Sequence, residues 1–227
     1  MNHRFFVPDR IEVGATIVLP EEERRHARVL RVRDGEEVEV FDSFGRNYVG
    51  RFEGSGVIVL RETGNREPAT AIQLAMSIIQ LDKFELVLQK GTELGVQSFV
   101  PLITDRMEVR IERVQGKEDR WRKIVLEAVK QSGRSKIPPI EPSVKFDDAI
   151  RRAGQKIVFD VDAPSRATAN GQRTTIFIGP EGGFTERELE LARNAGAGFE
   201  RLGPRRLRAE TAALAAVTIL SARNGDI

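Results

Sequence analysis

Thr174-Thr175-Ile176-Phe177-Ile178-Gly179-Pro180-Glu181-Gly182-Gly183-Phe184, continuing into Thr185-Glu186-Arg187-Glu188, is the stretch whose reading decides the fold. Five β-prone residues run straight into a glycine-rich loop. Thr185-x-x-Glu188 has the spacing of a capping box, so a helix follows. Strand, glycine loop and helix in that order form the joint of an open α/β sheet, where sites gather at the C-terminal ends of strands. The loop has no G-x-x-x-x-G-K-[ST] and no G-x-G-x-x-G, so it is neither a nucleotide P-loop nor a dinucleotide fingerprint. Taken alone, it reads equally well as a tight strand-to-helix turn.

The same joint recurs downstream. Phe199 to Leu202 reads as a strand, Gly203-Pro204 as a loop, and an alanine-rich helix begins near Arg208. Arg201, Arg205, Arg206 and Arg208 crowd this loop, where a ligand-facing segment of an α/β sheet lies. Upstream, Ile72 to Leu81 reads as a buried strand, with Asp82-x-x-Glu85 as a helix start. That helix turns Phe84, Leu88 and Leu94 inward and stops at Gly95. Phe99 to Ile103, Lys156 to Val161 and Thr174 to Ile178 read as further strands. Helices are expected at Arg120 to Ser132, with Gly133 as C-cap, and from near Phe146 and Thr185. Lys90 to Val96 and Glu127 to Arg134 read as ordinary helix ends. The alternation predicts a mostly parallel sheet with helices on both faces.

Residues 1 to about 68 have a different rhythm. Thr16 to Leu19, Glu37 to Phe41, Asn47 to Phe52 and Val57 to Leu60 are β-rich runs. Asp34-Gly35, Phe44-Gly45-Arg46-Asn47 and Gly54-Ser55-Gly56 separate them as turns. Glu21 to Arg31 is the one helical interruption, with Ala27 and Leu30 placed to face inward. The acidic run Glu21-Glu22-Glu23 and His26 read as a solvated face. This is the pattern of a small β-barrel. Thr63 to Pro68 reads as a linker, which divides the chain into domains 1–68 and 69–227.

Composition narrows the chemistry. At 227 residues and 40% hydrophobic, the chain can bury a core. The absence of cysteine excludes disulfides and thiolate chemistry, the two histidines, His3 and His26, are too few for a three-histidine zinc site, and their places in the β-rich segment argue against a Ser-His-Asp triad. No apolar run approaches membrane-spanning length, and no signal-peptide core opens the chain, so a soluble, cytoplasmic protein is expected. The net charge of +2 argues against a polybasic tail. The cations are 28 Arg against only 8 Lys, and Arg is the planar cation suited to phosphates and bases. Only 6 Asn and 8 Gln fit a heat-adapted source.

Ile178 to Phe184, Leu202-Gly203 through Leu207-Arg208-Ala209-Glu210-Thr211-Ala212, Lys90 to Val96, Gln131 to Arg134 and the opening Arg4-Phe5-Phe6-Val7 stand in an order that resembles one family. It is RsmE, the bacterial 16S ribosomal RNA uracil-N3 methyltransferases of the SPOUT superfamily. The resemblance spans the chain, and the paired GPEGG and LRAETA elements are its specific part. It implies an N-terminal PUA-like β-barrel that binds RNA and a C-terminal α/β domain with a trefoil knot. It also implies S-adenosylmethionine as cofactor, a homodimer, and 16S ribosomal RNA or the small ribosomal subunit as partner. Cofactor-binding residues carried over are Ile178, Gly179, Pro180, Glu181, Gly182, Gly183, Leu202, Gly203, Leu207, Arg208 and Thr211. Pro204-Arg205-Arg206 makes the second loop more basic than the family's usual form.

Methyl transfer needs an in-line approach, so positioning supplies much of the rate. Uracil N3 must also lose its proton, which a carboxylate can accept while a cation stabilises the developing anion. Glu181 and Glu210 are the candidates for the first role and Arg208 for the second; either acid serves equally well as a loop anchor. N3 lies on the pairing edge, so the target base must be unpaired or flipped out. Arg4, Arg134, Arg205 and Arg206 are the expected RNA contacts. Two other readings stay open: a non-catalytic RNA-binding or ribosome-assembly protein, and a related enzyme acting on a ribose or another base.

Overall fold

The structure, a computed structural model, describes residues 3–163 and 173–227. It forms two compact units, Met1–Glu67 with Leu126–Ile137, and Pro68–Val125 with Pro138–Ile227.

The first unit holds β1 (Arg4–Val7), β2 (Thr16–Val18), α1 (Glu21–Leu30), β3 (Glu37–Asp42), β4 (Asn47–Glu53) and β5 (Gly56–Thr63). They form one five-stranded sheet in the order β1-β3-β4-β5-β2. Only β1 and β3 run parallel; the other pairs are antiparallel. Among the described residues β1 and β2 do not pair with each other, so the expected barrel is a curled, open sheet. Period-two alternation sends Phe5, Val7, Val38, Val40, Val57 and Val59 to one face, where they pack with Tyr48, Phe52 and Ala27.

Two expectations for α1 change. Leu30 is 37% exposed, because the helix ends there with Arg31 in the left-handed region (φ 57°). Val32 folds back in its place, donating its N–H to Ala27 O at 3.1 Å. Glu23, assigned to a solvated acidic run, is buried and lies 2.6 Å from Lys130 Nζ, while Glu21 and Glu22 are exposed. His26 is only partly exposed and meets Phe5 edge-on.

The second unit holds β6 (Ala71–Ser77), α2 (Leu81–Glu93), β7 (Ser98–Ile103), the first part of α3 (Glu118–Ser132), β8 (Val144–Lys145), α4 (Phe146–Ile150), β9 (Gln155–Phe159), β10 (Arg173–Ile178), α5 (Glu186–Asn194), β11 (Gly198–Glu200) and α6 (Ala209–Arg223). Its six strands lie in the order β11-β9-β10-β6-β7-β8, and every pair is parallel. Ala75, Val100, Leu102, Val158 and Phe177 face α4 and α5. Alternation sends Ile72, Leu74, Met76, Ile176 and Ile178 to the other face, where α6 packs on β6 and β10 and against α2. β10 lies between β9 and β6, so the glycine loop leaves the middle of the sheet.

The second unit also corrects the expected capping box at Asp82. α2 begins at Leu81 behind Gln80 with no side-chain cap, so Asp82 and Glu85 are its second and fifth residues. Glu85 instead receives two hydrogen bonds from Arg120, at 2.6 and 2.7 Å. Gly95 and Gly133 do end their helices, with φ of 93° and 79°.

Candidate functional site

Ile178 is the last residue of β10, paired with Met76 on one side and Phe159 on the other. Gly179 follows, buried, where the loop folds back on itself. A Cβ there would sit 3.2 Å from Phe184 N and 3.3 Å from its ring, so any other residue would push the loop outward by a few tenths of an ångström. Pro180 O accepts the Gly183 N–H at 2.9 Å, closing a turn whose corners, Glu181 and Gly182, are exposed. Gly183 has φ 69°. Thr185 then caps α5: its side chain takes the Glu188 N–H, and its own N–H donates to Glu188 Oε2 at 2.8 Å.

A second strand end clamps this loop. Arg106, just past β7, donates through Nη1 to Gly182 O at 2.8 Å and to Phe184 O at 3.2 Å. Its stem lies against Gly182, with Cδ 3.4 Å from where a Cβ would stand. The Asp105 N–H donates to the fully buried Glu188 carboxylate at 3.0 Å. Asp105 accepts from Thr185 Oγ1 and from Arg187, whose guanidinium also bridges to Asp147 at 2.8 Å. The Arg187 hydrogen bonds hold the Asp105 and Asp147 carboxyls below their ordinary values, and the two acids push Arg187 up. Asp105, Arg106 and Arg187 carry no mark in the sequence beyond the position of Thr104-Asp105-Arg106 after a strand, and Glu188 was legible there only as the capping-box acid.

The second loop, residues 201–208, leaves β11. With β9 between β11 and β10 and all three parallel, both loops emerge at the same end of the sheet. Leu202 and Gly203 are half-buried, and Gly203 has φ 105°. Arg205, Arg206, Leu207 and Arg208 are exposed. Arg208 is the N-cap residue of α6, and its exposed guanidinium forms no hydrogen bond or ion pair among the described residues. Glu210, in the first turn of α6, is 9% exposed, whereas Thr211 faces solvent. A Cβ built at Gly183 or Gly203 meets nothing within 4 Å, so at both points the main chain borders open space that a ligand can occupy. The end of β11 from which this loop leaves is secured by the Glu200–Arg223 pair, bonded at 2.9 Å with Glu200 buried.

Two expected RNA contacts lie elsewhere. Arg4 is 9% exposed and donates through Nη1 to the carbonyls of Val129 (3.0 Å) and Arg134 (2.9 Å), and through Nη2 to Asn47. Its Nε is 3.0 Å from Glu39, and its plane covers Phe41. Arg4 therefore caps the C-terminal end of α3 inside the first unit, its guanidinium engaged by protein acceptors. Arg134 is 3% exposed and paired with Glu67 at 2.8 Å. The buried Glu67 also accepts the N–H groups of Ser135 and Lys136. Lys90 to Val96 is an ordinary helix end, as expected; Gly91 there lies against the Phe99 ring.

A family described as an RNA methyltransferase domain matches residues 65–221, and an RNA methyltransferase PUA domain matches residues 19–56. A ribosomal RNA small subunit methyltransferase E of Aquifex aeolicus is 32% identical, covering 96% of this chain and 98% of that protein. The one from Bacillus subtilis is 29% identical, over 96% and 95%. The crystal structure of a ribosomal RNA small subunit methyltransferase E from Neisseria gonorrhoeae, bound to S-adenosyl methionine, is similar with a TM-score of 0.92 at 33% identity, covering 98% of both chains. A Legionella pneumophila putative methyltransferase in complex with the same cofactor gives 0.89 at 31%, again over 98% of each.

Proposed function

We propose, from the premise that this chain belongs to the RNA methyltransferase family with a PUA domain, that it transfers a methyl group from S-adenosylmethionine to N3 of a uridine in 16S ribosomal RNA. The observation that carries the reading is the pair of loops at one end of the parallel sheet, each with an open-faced glycine. Relatives similar over nearly the full chain are small-subunit RNA methyltransferases, one of them bound to this cofactor. The two loops fit such a group. Gly179 to Gly183 present main chain on one side, held from behind by Arg106, and Leu202-Gly203 with Leu207 to Thr211 present it on the other.

Bound there, S-adenosylmethionine supplies the electrophilic methyl group. The chain's own part is to hold the acceptor base in line and to manage one proton. Glu181 and Glu210 are the acids placed to accept the N3 proton: Glu181 stands on the exposed corner of the first loop, and Glu210 in the first turn behind the second. Neither forms an ion pair among the described residues. Arg208, exposed beside Glu210, is placed to stabilise the anion that develops on the uracil oxygens. Arg205 and Arg206 extend the same loop as phosphate contacts. The incompletely buried face of α6, with Thr211, Leu214, Ala215 and Thr218, is the surface on which a second copy packs in the proposed homodimer. No helix of the described residues is long and apolar enough to cross a membrane, and a cytoplasmic location is proposed with the ribosomal substrate.

Calorimetric titration with S-adenosylmethionine, wild type beside Gly179→Trp, tests the cofactor site. Micromolar binding by the wild type, lost in the variant, supports it; absence of binding by folded wild type, with and without RNA, refutes it. Methylation of 16S ribosomal RNA followed by nucleoside mass analysis tests the target atom. A 2′-O-methylated product or a different base would overturn the N3 assignment.

A further inference from the structure

The hairpin turn between β3 and β4, Ser43-Phe44-Gly45-Arg46, is built more rigidly than a surface connection needs. Asp42 is fully buried, and its Oδ1 accepts the N–H groups of Phe44 and Arg46, both at 3.0 Å. The main chain closes the same loop: the Asp42 N–H donates to Arg46 O at 3.1 Å, and the Gly45 N–H donates to Asp42 O at 3.2 Å. Ser43 Oγ donates to Pro8 O. Gly45 has φ 80°, and a Cβ on it would sit 2.9 Å from Lys136 Cγ, so the lysine stem lies across the turn. Lys136 is itself pinned by its N–H to Glu67 Oε1 at 2.9 Å.

This frame displays one large apolar side chain. Phe44 is 64% exposed, and Ile137, the residue after Lys136, is 36% exposed. Lys136 Nζ has no acid partner among the described residues, and Arg46 reaches Glu62 only at 3.9 Å. A single exposed apolar residue is ordinary. A phenyl ring on a fixed turn, with a lysine stem laid across the next residue, Gly45, is a different object. It offers a π face for a base and a cation for the phosphate next to it, and the rigid turn lowers the entropy cost of using them.

We propose that Phe44, with Lys136 beside it, is a stacking site for an unpaired nucleotide of the RNA substrate. This rests on the RNA methyltransferase reading and adds to it a contact in the first unit. Unpaired rather than duplex RNA follows from the ring, which needs a free base face; a paired and stacked base has none to give.

The test is fluorescence anisotropy with a labelled oligouridine, single-stranded or annealed to its complement. The proteins are wild type, Phe44→Ala, Phe44→Trp and Lys136→Ala, each checked by thermal melting and by titration with S-adenosylmethionine. Phe44→Ala should weaken single-strand binding roughly tenfold, the scale of one base stacked on an aromatic side chain. Its melting temperature and cofactor affinity should match wild type, because the ring is mostly in solvent. Phe44→Trp should bind like wild type and show quenching of the new indole on adding RNA; the single natural tryptophan, Trp121, is buried. Lys136→Ala should reduce the slope of log affinity against log salt by about 0.7, one phosphate's worth for a single strand. Wild-type affinity in Phe44→Ala, or an unquenched indole in Phe44→Trp, overturns the stacking site while leaving the methyltransferase reading intact. Failure of the wild type to bind RNA at all would overturn both.

Discussion

Replacing Arg106 with alanine removes both hydrogen bonds that tie the glycine loop to the end of β7, at 2.8 Å to Gly182 O and 3.2 Å to Phe184 O. Gly182 is exposed, so water takes over its carbonyl, and the fold should lose only about 1 kcal/mol. The larger effect falls on the ligand. Gly179 and Pro180 stay buried, which leaves Glu181 and Gly182 as the residues set loose. Ordering two residues costs about 2–4 kcal/mol in backbone entropy. The turn bond from Gly183 to Pro180 survives and keeps part of that order. The expected penalty on S-adenosylmethionine binding is therefore near the low end, about 2 kcal/mol, or roughly thirtyfold in Kd. Arg106→Lys retains a single point-charge donor and should recover part of the loss. Calorimetric titration beside a thermal melt separates the two effects. A wild-type Kd in Arg106→Ala would refute the clamp, and so would a loss of binding that merely follows global unfolding.

Three further outcomes follow from the same geometry. Arg4→Ala should destabilise the protein by about 2–4 kcal/mol, because it strips buried carbonyls at the end of α3 of their donor and leaves Glu39 without its partner. Urea unfolding measures this, and unchanged stability with lost RNA affinity would mean that Arg4 is a contact after all. Burial works against ionisation of Glu67, but Arg134 and the N–H groups of Lys136 and Ser135 outweigh it and hold the carboxyl below its ordinary value. A depressed carboxylate stabilises the fold fully above its unfolded value, about pH 4–5, and progressively less as pH falls below that. Glu67→Gln should accordingly flatten the acid limb of the stability curve at a cost near neutral pH; an acid limb as steep as wild type would assign that titration to other groups. Gly183→Ala should weaken cofactor binding by more than it weakens the fold. Its Cβ meets no protein atom, so the fold bears only backbone strain of about 1–2 kcal/mol, whereas the cofactor loses the open face of the loop. Equal losses in melting and in titration would contradict this account of the loop.

Where period and local chemistry suffice, the sequence is readable. The parallel sheet, the capping box at Thr185 and Glu188, and the glycine stops at Gly95 and Gly133 each depend on residues within a few positions of one another. The two glycine loops are legible for the same reason, since each directly follows its own strand. β1 is only four residues long and Arg-Phe-Phe-Val does not alternate, so period alone does not mark it as a strand. The assignment of Leu126–Ile137 to the first unit is likewise written in no local pattern.

The arginines show most clearly where legibility ends. Arg4, Arg134, Arg205 and Arg206 looked alike in the sequence, as cations near motifs. Arg4 finds its acceptors 125 to 130 residues away, and Arg134 finds its carboxylate 67 residues away. Burial then decides their role: a buried guanidinium must satisfy its donors within the protein, so these two became scaffold. Arg205 and Arg206 stayed exposed because the loop that carries them leaves the open end of the sheet. The distinction between structural and substrate-facing arginine is thus set by the distant acceptors that the fold brings near. The same logic puts Arg106 at the loop, through an acceptor 76 residues on, where no sequence motif marked it.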